Sequence, residues 1–392
     1  MTLGPRRRPR SLARCYSVED LRFLARRKLP SPLFHYMDGG SDDEISLRRN
    51  SSAFDDYAFL PRTLCDISTI DTSTTLLGKR IAIPFILSPT GMSRLFHHSA
   101  EPAVARAAAG AGTIYSLSTM ATTRLEDIAC ATGGPKMFQV YLFKDKGLTA
   151  EFVQRCVAAR YDALCLTIDT PLAGNRERDR VTGMEMPPRF TLGSLLSFAS
   201  HPGWSLAHLL NPDFEIKNVA HRVEAFEGKS ISLIDYVNNQ FDRTVGWDDV
   251  ASLRALWPGP FVVKGVQSVA DARRAVGAGA SAIMISNHGG RQLDGTMAPV
   301  DLVPRIRNAV GDGVELIVDG GVRRGSHVLK ALALGANACS LGRAYLYGLA
   351  AGGEAGVSRA LSLLTEEISR NMALLGATRV SEISADLVER TR

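Results

Sequence analysis

The chain has 392 residues, of which 45% are hydrophobic and 22% charged, with a formal net charge of +6. That balance fits an ordinary globular enzyme with a sizeable core. It argues against a spanning helix, because no apolar run reaches the roughly 20 residues a bilayer requires; the most apolar stretch, 331–353, is broken by Asn337 and Arg343.

The first ten residues, MTLGPRRRPR, hold arginine and proline and no acid. Such a segment cannot build a core, so residues 1–15 are expected to be a disordered basic tail. Weak contact with anionic lipid and a transit peptide are the competing readings. No apolar stretch follows as a secretory signal would need, so a cytoplasmic location is expected. Residues 16–385 read as one domain. It opens with SVEDLRFLARRKL (17–29), helical in spacing, with Ser17 and Asp20 as its capping pair.

Eight short apolar runs then alternate with helical patterns: 83–90, 113–118, 136–142, 163–169, 260–265, 282–287, 315–320 and 338–342. Continuous apolar strands suit a parallel sheet covered on both faces. Eight β-then-α units predict an α/β fold of TIM (β/α)8 type, with a doubly wound open sheet as the rival. A helical region over 354–375 follows. The connection between strands four and five is abnormally long. Its part 190–245 is expected to be a lid or insert. The almost uncharged TLGSLLSFASHPGWSLAHLL places Leu192, Leu195, Leu196 and Ala199 at helical spacing. A lid with its own small core competes with an apolar patch for a membrane or redox partner. The six cysteines form no C-x-x-C pair and are expected to be reduced thiols, Cys165 and Cys339 in the core.

In a TIM barrel the chemistry sits at the C-terminal strand ends. There the chain places Pro89, Thr90 and Gly91; Ser118; Gln139 and Tyr141; Thr167 and Asp169; Lys264; Ser286 to Arg291; Asp319, Gly320, Gly321, Val322 and Arg323; and Gly342 and Arg343. DGGVRRG and LGR fall where barrels bind phosphate, with glycines that open the backbone to an anion and Arg323 and Arg343 as the cations. One phosphate pocket without an adenosine site favours a mononucleotide such as FMN over NAD or FAD. Lys264 ends an apolar strand, where a cation would stabilise negative charge on a reduced flavin; a Schiff base or a rim ion pair are the other readings. In SNHGGRQLDG, His288 is a candidate base and Arg291 a candidate carboxylate ligand. Asp169 would stabilise the protonated His288. Arg176 is the candidate second carboxylate ligand, with Arg178 and Arg180 as competitors. Tyr36 and Tyr141 are candidate hydrogen-bond donors to substrate. No metal and no nucleic-acid partner is expected.

SNHGGRQLD, DGGVRRG, KALALGA, FQVY and LTIDTP occur together in this chain. Through them it resembles, from about residue 16 to 385, the FMN-dependent L-2-hydroxy-acid oxidases and dehydrogenases. The resemblance implies that His288 is the base and Asp169 its partner. It implies that Arg291, Arg176, Tyr36 and Tyr141 bind substrate, and that Pro89, Thr90, Gly91, Ser118, Gln139, Thr167, Lys264, Ser286, Asp319, Gly320, Gly321, Val322, Arg323, Gly342 and Arg343 hold FMN. It also implies a homotetramer, with the two mechanisms of the family, hydride transfer and carbanion formation, both open. Two departures bear on the electron acceptor. Glycolate oxidase-like members carry alanine where this chain has Gly91 and tryptophan where it has Met120. Glycine is similar to the lactate and mandelate dehydrogenases. A quinone or cytochrome acceptor is therefore favoured over oxygen, with L-lactate as the expected substrate and mandelate-like acids next. An oxygen-using oxidase or monooxygenase stays the alternative, since a lactate monooxygenase-type member can also carry glycine, and a non-enzymatic phosphate-binding barrel ranks last. No haem segment precedes the barrel, so no fused cytochrome is expected. The insert is similar in place to a segment that tethers some dehydrogenases to membranes, so peripheral contact with the inner face of the cytoplasmic membrane is a further expectation.

Overall fold

The computed structural model describes residues 8–184, 189–212, 214–224 and 240–391. Eight parallel strands close into a barrel in chain order. They are β1 (Phe85–Thr90), β2 (Tyr115–Ser118), β3 (Lys136–Val140), β4 (Ala163–Thr167), β5 (Phe261–Val266), β6 (Ala282–Ser286), β7 (Glu315–Asp319) and β8 (Ala338–Leu341). All eight predicted runs are strands, and the rival open sheet is ruled out by the β8–β1 pairing that closes the ring.

Alternation along each strand sorts the side chains. Phe85, Leu87, Leu164, Leu166, Ile283 and Ile285 point outward into the layer shared with the helices. Ile86, Met137, Ala163, Cys165, Val262, Ala282, Met284, Ile317 and Ala338 fill the barrel interior. Leu76, Leu77 and Ile81, from a two-stranded ribbon before β1, join that inner cluster and plug the N-terminal end. The next inward positions toward the C-terminal end are Ser88, Ser118, Gln139, Thr167, Lys264, Ser286, Asp319 and Ser340, all buried. Two-residue periodicity thus sets an apolar plug beneath one ring of polar side chains.

The first helix, Val18–Lys28, starts where expected, with Ser17 accepting the Asp20 N–H at 3.2 Å. It packs on the last helix, Arg343–Leu375, which begins earlier than the predicted 354 and bends at Gly352 and Gly353. The expected domain limits both move outward. Leu12–Arg14 form a turn of 3-10 helix, and Cys15 is buried with its carbonyl accepting from Arg359. Val388–Arg390 pairs with Tyr57–Phe59 as an antiparallel ribbon. Short apolar anchors, Leu12 and Val388, tie down segments whose composition is polar.

Within the long connection, Leu192–Ala199 and Pro202–Leu210 are separate helices, parted at Ser200-His201 before Pro202. The leucines expected to make a lid core face outward: Leu192 is 75% exposed, Leu195 53% and Leu196 63%. Among the described residues no helix is long and apolar enough to cross a membrane.

Candidate functional site

One cavity opens at the C-terminal end of the barrel. Its wall includes Tyr36, Pro89, Thr90, Gly91, Ser118, Met120, Tyr141, Arg176, Lys264, His288, Arg291, Asp319 to Arg323, Gly342 and Arg343. Gln139, Thr167, Asp169 and Ser286 are not on the wall; Gln139, Thr167 and Ser286 are buried, and the Asp169 side chain is almost wholly covered. Phe96, Leu346 and Ser340 also form wall, and sequence reading missed them. They are apolar or small residues of a loop, a helix and a strand, and no motif marks them.

His288 follows β6 with φ of +56°, a left-handed conformation that costs energy for a side-chain-bearing residue. Its backbone N–H donates to Ser286 Oγ at 3.0 Å. The ring Nδ1 lies 2.9 Å from Asp169 Oδ1. A carboxylate at Nδ1 places the ring proton there and leaves Nε2 with a free lone pair at the cavity. Burial and then the charge of Lys264 hold His288 below its ordinary value, and Asp169 only partly opposes them. The imidazole is therefore neutral, as a base requires. Burial alone would raise Asp169, but His288, Lys264 and the hydrogen bonds outweigh it, so Asp169 stays ionised.

Lys264 is buried with Nζ 3.5 Å from Asp319 Oδ2. Burial works against its charge, yet Asp319 and Asp169 prevail and the ammonium is held above its ordinary value. That argues against a Schiff-base nucleophile, which needs a neutral amine. Asp319 also accepts from Ser88 Oγ at 2.9 Å and Ser286 Oγ at 2.7 Å. Its carboxylate is thus engaged in fixing Lys264 and the two serines.

Two guanidinium groups flank one ring. Arg176 lies 5.1 Å and Arg291 5.2 Å from the Tyr36 centroid. Arg176 is paired with Asp179 at 2.7 Å. Arg291 has no carboxylate partner among the described residues and donates to the carbonyls of Tyr36 and Gly39, at 2.7 and 3.1 Å. Burial and then the charge of Arg176 push Arg291 down to about 9. The pair is short of negative charge, which an entering carboxylate supplies. The competitors are spent or remote: Arg178 bridges Asp38 and Glu44, and Arg180 is exposed. Burial pushes the Tyr141 phenol up to about 12, so it stays protonated as a donor. Phe241, at the end of the insert, meets the Tyr141 ring edge-on at 5.2 Å.

The phosphate candidates differ from one another. Arg343 donates through Nε, Nη1 and Nη2 to Met37, Gly289 and Gly39 carbonyls at 3.0, 2.8 and 2.7 Å. It staples the His288 loop to the segment bearing Tyr36, with little left for a ligand. Arg323 spends one Nη on the Val322 carbonyl. Beside it, the helix that begins at Arg343 has no side-chain cap and no acid in its first turn, which leaves backbone N–H groups for an anion. These donors, the Gly320-Gly321 backbone and the buried Lys264 cation fit a phosphate-bearing flavin. Gly91 makes room: a Cβ there would lie 2.7 Å from that of Met120. The two departures from the oxidase pattern therefore touch, and each limits the other.

The family model for FMN-dependent dehydrogenases matches residues 25–390. An L-lactate dehydrogenase of Xanthomonas campestris pv. campestris is 39% identical over 378 residues, 95% of this chain and 97% of that protein. An L-lactate oxidase of Nostoc sp. is 40% identical over 369 residues, 93% and 95% of the two chains. The crystal structure of a monotopic membrane protein, (S)-mandelate dehydrogenase, superposes with a TM-score of 0.91 at 34% identity, covering 96% of this chain and 100% of the other.

Proposed function

This chain belongs to the FMN-dependent dehydrogenase family, and from that premise we propose that it oxidises L-lactate to pyruvate and passes the electrons to a quinone or cytochrome. It is an FMN-dependent oxidoreductase acting on a hydroxy acid; the substrate, the acceptor and the roles below are our reading.

The observation that carries it is a neutral imidazole, backed by an ionised carboxylate, on the same wall as two guanidinium groups, of which Arg176 is paired with Asp179 and Arg291 has no carboxylate partner among the described residues. Arg291 and Arg176 bind the substrate carboxylate, and Tyr36 and Tyr141 donate to its oxygens. That grip presents the hydroxyl-bearing carbon near His288, whose Nε2 takes the proton the substrate releases. Asp169 then stabilises the imidazolium across 2.9 Å. The same base serves hydride transfer and carbanion formation. FMN, held by the phosphate donors at the β7 and β8 ends, the Pro89–Gly91 backbone and the polar ring, supplies the two-electron acceptor. Lys264 would supply a buried positive charge able to stabilise the negative charge of a reduced flavin. Met120, Phe96 and Leu346 leave an apolar space suited to a small substituent.

The acceptor rests on Gly91, since relatives named dehydrogenase and oxidase are equally similar. The exposed Leu206, Leu209 and Leu210 and the likeness to a monotopic membrane protein support a peripheral membrane contact. A homotetramer belongs to the same reading. The test is anaerobic mixing of the yellow holoenzyme with a panel of 2-hydroxy acids, then reoxidation by oxygen, a quinone and cytochrome c. We expect L-lactate to bleach the flavin fastest and oxygen to reoxidise it slowest. A flavin that L-lactate leaves oxidised overturns the reading.

A further inference from the structure

A second cavity lies one aromatic ring from the first. It encloses about 480 Å³ where the loop after β1, the Pro202–Leu210 helix and the Arg343–Leu375 helix meet. Phe96 walls both cavities, and its ring stacks on Tyr36 with centroids 6.4 Å apart. On the long helix, Leu346 faces the first cavity and Ala350 the second. That is one turn, or about 6 Å at 1.5 Å per residue.

The wall is aromatic and imidazole. Trp204 is fixed by a hydrogen bond from Nε1 to the Leu95 carbonyl at 2.9 Å. His97 Nδ1 accepts the Ser99 N–H at 3.2 Å, which puts the neutral ring's proton on Nε2. His201 Nδ1 lies 2.7 Å from the Ser197 carbonyl, which can only accept, so Nδ1 carries a proton. Burial, followed by the charges of His98, Lys28 and His208, pushes His97 down to about 4, and it stays neutral. The helix that presents Trp204 and Ala207 to the cavity exposes Leu206, Leu209 and Leu210, at 58, 76 and 72%. The cavity therefore adjoins an apolar surface.

We propose that this second cavity binds the lipophilic quinone that reoxidises the enzyme, with His97 Nε2–H donating to a quinone oxygen against the Phe96 and Trp204 walls. The proposal rests on the acceptor reading above and narrows it, since a folded cytochrome cannot enter such a cavity. The redox balance closes. The hydroxy acid loses two electrons and two protons as it becomes the oxo acid. The quinone gains two electrons by way of the flavin and two protons from solvent, and its two carbonyl oxygens become hydroxyls.

The test uses holoenzyme and decylubiquinone. In Ala207→Trp, which fills the cavity, the reoxidation constant should fall by at least about tenfold. In His97→Gln it should fall about 3- to 10-fold, the size of one lost hydrogen bond. Flavin reduction by L-lactate should proceed at the wild-type rate in both. Independently, decylubiquinone should quench tryptophan fluorescence in the absence of substrate, and Trp204→Phe should remove most of that quench. Unaltered reoxidation in both variants overturns the proposal, as does a quench that pyruvate displaces, because the quinone then occupies the first cavity. A Trp204 quench produced by phosphatidylglycerol vesicles alone, with decylubiquinone adding nothing, also overturns it and assigns the cavity, lined as well by Arg27, to an anionic headgroup. Failure of L-lactate to reduce the wild-type flavin would sink the substrate reading instead and leave the quench result standing.

Discussion

At the strand ends, polar side chains are buried and mutually bonded. Asp319 alone gathers Ser88, Ser286 and Lys264, and Asp169 holds His288. In the two helices of the insert the order is inverted: leucines stand in solvent, and the ties to the body are few, such as Trp204 to Leu95 and the Ser31 N–H to Ser197 Oγ at 2.8 Å. A buried polar cluster has one arrangement of low energy, because each unpaired member costs about 1–3 kcal/mol. An exposed apolar face has no such constraint from within. The strand ends hold their atoms in place, and the insert helices leave an apolar face in solvent.

The largest way to break the contrast is at the base. His288→Gln keeps the bulk and removes the proton acceptor, so anaerobic flavin reduction by L-lactate should slow by about 10⁴-fold, the upper range for general base catalysis. A slowing under tenfold would show that His288 is not the base.

A second, smaller effect concerns pH. His288 must be neutral to act, and burial with Lys264 lowers its value from 6.5. The reduction rate should therefore stay level as pH falls through 6.5 and drop only below it. Asp169→Asn removes the charge that raises His288, so the drop should move to still lower pH, while the maximal rate falls by about 100-fold through loss of imidazolium stabilisation. A midpoint above 6.5 in the wild type would contradict the electrostatics of the site. Stopped-flow profiles of both proteins decide it.

The smallest effect belongs to the insert. Leu209→Ser should change melting by less than about 0.5 kcal/mol, since the side chain is 76% exposed. The same substitution should weaken co-sedimentation with lipid vesicles and leave flavin reduction alone. A destabilisation of several kcal/mol would mean that Leu209 is covered, and the contrast would fail.

Much of this was legible beforehand. The eight strands stood out because buried parallel strands are continuous apolar runs, and their polar last residues marked the rim. His288, Arg291 and Arg176 were candidates from the sequence, and the fold places all three on the wall of one cavity. That Arg343 also binds three backbone carbonyls was not legible, because a sequence does not reveal which carbonyls a guanidinium will meet. The insert leucines had helical spacing in either reading, and spacing does not say whether a partner face exists.

Periodicity and residue chemistry thus determined the barrel, its apolar plug and the identity of the polar ring, since both follow from which side of a strand each residue occupies. Tertiary structure alone decided that Arg178 belongs to Asp38 and Glu44 while Arg291 has no carboxylate partner among the described residues. It also decided that Gly91 and Met120 touch, and that Phe96 divides two cavities. Those outcomes depend on contacts between segments far apart in the chain, and such contacts are set by packing rather than by local preference.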